Sequence, residues 1–134
     1  MVGDHAPSFI SDLKCKEEFS DEEKNIYSRM APYVIWANYD VTYKDDMKYA
    51  SMVDIVPMLV EIAGLPLSDY YSYILEMHKE VPVRTSDQWY MDANQTIDKY
   101  EKDSPYYDLI TQYYYMAYNS LKVGDDYKQE LFVP

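Results

Sequence analysis

The segment Gly64-Leu65-Pro66-Leu67-Ser68-Asp69 both stops one helix and starts the next. Glycine takes up the left-handed backbone that terminates a helix, and a proline just beyond it cannot continue one. Ser68 and Asp69 then cap the free N–H groups of a following helix, which runs to about Lys79. Upstream, apolar Val53, Val56, Leu59, Val60 and Ala63 recur at helical spacing, a stripe that ordinarily faces a core, and predict a helix over 51–63. Pro57 lies near its start, where a missing N–H costs little.

The same punctuation places the other elements. Ser20-Asp21-Glu22-Glu23 is a capping box that predicts a helix to about Met30. Ser104-Pro105 opens a last helix, with Leu109, Ile110, Tyr113, Met116, Ala117 and Leu121 on one face and Gly124 as its stop. Residues 6–19 read as loop. Pro32-Tyr33-Val34-Ile35-Trp36-Ala37 is almost continuously apolar, as in a strand buried on both faces, and Asn38-Tyr39-Asp40 reads as a turn. Residues 88–92 and 96–98, separated by Ala93-Asn94-Gln95, suggest a small β-hairpin. The result is an α/β chain, rich in helices and with few strands. At 134 residues it is long enough for one modest domain with a core.

Charge narrows the partners. The formal net charge is −12 and no basic stripe is present, which argues against nucleic acid and against an anionic membrane surface. An acidic chain also repels phosphate or sulfate esters unless a metal or basic groups invert the local field. No apolar run approaches the length of a bilayer span, so no direct membrane insertion by this chain is predicted. Met1-Val2-Gly3-Asp4-His5 lacks the charged start and apolar stretch of a signal peptide, so any membrane anchor is expected in a longer parent. Cys15 is the single cysteine, so no intrachain disulfide forms, and nothing around it marks a reactive thiol. The 17 tyrosines, against 3 Phe and 2 Trp, suit half-buried surfaces with an apolar body inside and a hydroxyl at the edge.

Gly3-Asp4-His5-Ala6-Pro7-Ser8 carries the chemistry. Met1 to Gly3 fit the last residues of a strand, and adjacent Asp4 and His5 at a strand end can reach one divalent ion. This segment resembles the GDHxPS motif of the lipoteichoic acid synthase and sulfatase families, within the alkaline phosphatase superfamily. The resemblance continues in order along the chain. Residues 19–24 look like the helix that follows, and Ala31-Pro32-Tyr33-Val34-Ile35-Trp36-Ala37-Asn38-Tyr39-Asp40 is similar to the family's "TPFVIWANYD" strand. Ser51-Met52-Val53-Asp54-Ile55-Val56-Pro57 with Gly64-Leu65-Pro66 resembles a helix seen across sulfatases, and Tyr113 to Asn119 resembles the final helix. Residues 80–103 match least.

The resemblance implies that residues 1–134 are the C-terminal part of a sulfatase-like catalytic domain. The parent would be a metal-dependent phosphoglycerol transferase acting on a phosphatidylglycerol-like lipid at the extracellular face of a bacterial membrane. Asp4 and His5 would be two ligands of its divalent metal, manganese first, with zinc, magnesium or calcium as alternatives. The nucleophile, an acidic ligand and the phosphate-binding residues would lie upstream, so the upstream part of the domain is the implied partner and the chain alone is expected to be inactive. A sulfatase or phosphatase parent, acting on another sulfate or phosphate ester, is the alternative within the class. A non-catalytic, Tyr-rich acidic envelope domain that binds glycan or protein is the alternative outside it. Exposed sheet edges are expected to favour a homodimer.

Three further groups are read as structural. His78 has no second ligand one turn away and is assigned a structural or solvated role. Asp54 opens a helix and is assigned as a cap or dipole partner. Asp45-Asp46 lack a calcium-loop pattern and read as a solvated turn.

Overall fold

The computed structural model describes residues 19–40, 48–122 and 126–134. Within them the chain forms four α-helices and a three-stranded antiparallel sheet, a mixed α/β architecture weighted toward helix. The helices are α1 (Asp21–Tyr27), α2 (Ile55–Ile62), α3 (Asp69–Glu80) and α4 (Tyr107–Asn119). The strands β1 (Val83–Arg84), β2 (Trp89–Met91) and β3 (Ile97–Lys99) pair in the order β1-β2-β3.

Helix α1 forms as its capping box requires. Ser20 Oγ accepts from the Glu23 N–H at 3.2 Å, and Glu23 Oε2 accepts from the Ser20 N–H at 2.7 Å. The helix proper stops at Tyr27, and tighter turns carry the backbone to Met30. Ser68 caps α3 in the same manner, accepting from the Tyr71 N–H at 3.2 Å.

Helix α2 departs from the sequence expectation in which face it buries. A short 3-10 turn, Met52–Asp54, leads into it, and Gly64 with φ 66° closes it in the left-handed region. The buried residues are Asp54, Ile55, Pro57 and Met58, whereas Val53, Val56 and Leu59 are exposed. The regular stripe that sets the helical period is therefore the outer face. The inner face was masked in the sequence by Asp54 and Pro57, which no apolar count includes.

The run Pro32–Ala37 also differs. It is extended with a single bridge at Tyr33, and it is buried on one side only. Tyr33 and Ile35 pack on Ile55, Met58 and Leu75, while Val34 and Trp36 point outward, Trp36 with 80% of its surface exposed. Alternation at a period of two is what a half-buried extended segment produces.

The hairpin forms where the sequence placed it, with Tyr90 opposite Asp98 and Met91 opposite Ile97. Its loop is organised by Asp92, whose Oδ1 accepts from the Asn94 and Thr96 N–H groups at 2.9 and 2.8 Å. Strand β1, unforeseen from sequence, adds to its other edge, with Val83 opposite Met91. Helix α4 starts at Tyr107, later than Ser104-Pro105 implied, because Ser104 closes a preceding turn and donates its hydroxyl to the Tyr90 hydroxyl at 3.1 Å. Of its predicted face, Ile110 and Met116 are buried and Leu121 is exposed.

Helix α3 is the centre of the assembly. It packs against α2, α4, the 3-10 turn Met52–Asp54 and a second 3-10 turn, Gln129–Leu131, while α1 covers β2 and β3. The core comprises three small clusters. One joins Ile26, Val83 and Met91; a second joins Ile55, Met58 and Leu75; a third joins Val81, Tyr90 and Ile110. Tyrosines seal the third at its edges: Tyr73 donates to the Leu109 carbonyl at 2.7 Å, and Tyr106 meets Tyr90 edge-on at 5.5 Å.

Candidate functional site

Asp4, His5, Cys15, Asp45 and Asp46 lie outside the described residues. Among the described residues no group of three or more His, Cys, Asp or Glu side chains could hold a metal ion. No described helix is long and apolar enough to cross a membrane. Two features remain: a buried charged cluster, and an open cleft that shares residues with it.

The cluster is centred on Asp54, which has no exposed surface. An ionised carboxylate in that position must be compensated, since isolated burial costs several kcal/mol or more. Compensation arrives from three segments. The Arg84 guanidinium from β1 donates through Nη2 to Asp54 Oδ1. The Ser51 N–H donates to Oδ2 at 2.9 Å, and His78 Nδ1 from α3 lies 2.9 Å from the same oxygen. A carboxylate only accepts, so Nδ1 carries the proton there. Arg84 also donates through Nη1 to the Val81 carbonyl and lies 5.6 Å from the centre of the Tyr113 ring on α4.

Ser51 completes the junction. Its hydroxyl accepts from the Arg84 N–H at 2.7 Å and is 3.3 Å from the Pro82 carbonyl. The expected capping role of Asp54 is thus present, because its carboxylate closes back on the Ser51 N–H. The sequence could not show that the same carboxylate binds residues 24 and 30 positions away.

Ser51, His78 and Asp54 are the residue types of a nucleophilic triad, but the connectivity differs. In a triad the histidine accepts from the serine hydroxyl. Here that hydroxyl is engaged with the backbone of Pro82 and Arg84. The cluster therefore clamps the start of α2, α3 and β1 together and has no nucleophile presented to solvent. The structural role assigned to His78 agrees with this geometry.

Beside it lies a cleft of about 890 Å³, bounded by the 29–33 segment, residues 48–55 and β1. It runs between the first and second core clusters, so Ile26, Met30, Ile55 and Val83 form an apolar floor. No protein-family model, curated protein or solved structure matches this chain.

Proposed function

We propose that this chain is the C-terminal segment of a sulfatase-like domain, in a parent that is most simply a phosphoglycerol transferase. What supports the reading is the ordered set of motifs from Gly3 to Asn119, together with one physical observation. Helix α2 is apolar on both sides. Ile55 and Met58 face the core, and Val56 and Leu59 face solvent, together with Met52 and Val53 of the turn that leads into it. A helix apolar all round is ordinarily covered on all sides. An upstream part of the same domain would supply that cover, and it would supply the nucleophile as well.

Asp4 and His5 fit the donor chemistry of a manganese or zinc ion, one hard carboxylate oxygen and one imidazole nitrogen. Bound there, the ion would polarise a phosphoryl oxygen and stabilise an attacking alkoxide. Two donors are fewer than the four to six such an ion takes, so the remaining ligands belong upstream. The described residues contribute a braced scaffold to such a domain, with the Asp54–Arg84–His78 clamp holding α2, α3 and β1 in register.

Paramagnetic Mn²⁺ provides the test. Titrated into the labelled chain, it is expected to broaden the amide signals around Asp4 and His5 first, and Asp4→Ala with His5→Ala should remove the effect. Broadening centred on other acidic residues, or unchanged in the double variant, would count against the proposal.

A second reading has its own observation. Tyr115 and Tyr118 stand exposed on the outer side of α4, next to Tyr114. Exposed aromatic faces are what a glycan-binding platform needs. Loss of binding to a cell-wall glycan in Tyr115→Ala/Tyr118→Ala would favour it, and absence of glycan binding by the unaltered chain would remove it.

A further inference from the structure

The cleft between the first two core clusters has a charge balance opposite to that of the chain. The protein has 24 acidic and 12 basic residues. Yet the charged residues that border the cleft, among the described residues, are Arg29, Lys48 and Arg84, with no carboxylate. Two of these cations are already paired. Arg29 makes a bidentate contact with Asp87 at 2.6 and 2.8 Å, and Arg84 is held by Asp54. Lys48 is exposed, and no described residue pairs with its ammonium. Its volume of about 890 Å³ lies within the range of small-molecule sites, roughly 300–1,000 Å³. Its apolar lining is Ile26, Met30, Ile55 and Val83, and Tyr33 and Tyr49 also border it.

We infer that this cleft is a binding site for a small amphipathic monoanion, its apolar body on the floor and its head group at the Lys48 ammonium. Charge complementarity selects the head: one cation with no partner among the described residues, beside two arginines already paired with Asp87 and Asp54, matches a single negative charge. The apolar floor selects the body, because a bare inorganic anion leaves that surface in water. The described residues that line the cleft include no His, Cys, Asp or Glu, so the binding inferred here calls for no metal.

The test compares three probes of graded chemistry on the whole chain in the presence of a chelator: octanoate, octanol and acetate. Amide NMR is the readout. Octanoate is expected to shift the signals of Met30, Ser51, Val83 and Ser86, and acetate at the same concentration to leave them unmoved. Octanol should bind about fivefold more weakly than octanoate, the value of one solvent-exposed ion pair. Lys48→Gln should bring octanoate down to the affinity of octanol without altering octanol itself, and Lys102→Gln, on an exposed turn away from the cleft, should change neither. Equal binding of octanol and octanoate, unchanged octanoate affinity in Lys48→Gln, or shifts mapping outside the cleft would each overturn the inference. Because the chelator removes metal, none of these outcomes bears on the Asp4–His5 proposal, whose own titration stands apart.

Discussion

Asp54 is the residue on which three chain segments converge. Its carboxylate, which has no exposed surface, balances the Arg84 guanidinium and orders His78 and Ser51. Removing one member of such a group leaves the other charge buried and uncompensated, which costs about 3–5 kcal/mol. Asp54→Ala is therefore expected to lower the stability of the chain by that amount in urea unfolding. Replacing both charges, as Asp54→Leu with Arg84→Met, should recover a large part of the loss, because no orphaned charge remains. Tyr70 presents a different electrostatic case. Burial first, then the neighbouring Tyr113, pushes its phenol from 10.0 up to about 12. A raised acid favours the neutral form in the folded state. That stability is complete below pH 10 and is lost as pH rises through about 12. Denaturant midpoints measured across this window should fall, and Tyr70→Phe should flatten the fall. Asp54 was visible in the sequence only as a helix-opening carboxylate, because its partners at 78 and 84 are distant in the chain.

At the scale of elements, α2 holds the clearest contrast. Its inner and outer faces are both apolar, but only the inner one is packed. Met58→Ala removes a buried side chain and should cost about 2–5 kcal/mol. Val56→Gln, about half a turn round on the open side, should change stability by under about 0.5 kcal/mol in the same assay. If both substitutions cost alike, the outer face is covered in solution. The helix boundaries themselves were legible, since Ser20, Ser68 and Gly64 act through bonds to residues three or four positions away. The loop of the hairpin was legible too, although its strain was not: Gln95 takes a φ of 65°, a conformation that glycine or asparagine adopts more readily. Strand β1 left no pattern to read, because two residues are too few for a period.

For the whole molecule, the competing quantities are an exposed apolar surface and a net charge of −12. The outer face of α2 and the Val34–Trp36 segment favour association of copies, and the like charge opposes it. Salt at about 0.1 M screens charge beyond roughly 10 Å and leaves apolar contact intact. Sedimentation is thus expected to show association that rises with salt and with concentration, and that Val56→Glu/Leu59→Glu suppresses. Association that falls with salt would mean that ion pairs, not these apolar faces, join the copies.

Local interactions explain what the sequence by itself determined: the caps that start α1 and α3, the Gly64 stop of α2, the hairpin, and the α/β class weighted to helix. Each depends on residues a few positions apart or on a sum over the chain. Tertiary structure alone decided which side of α2 is inside, that the 32–37 run is covered on one face, and that Ser51, Asp54, His78 and Arg84 meet. It also decided that three cations and no described carboxylate line one cleft. Those outcomes depend on the competition between alternative packings of similar apolar faces, and on charges brought together only when distant segments close. Neither leaves a periodic trace in the order of residues.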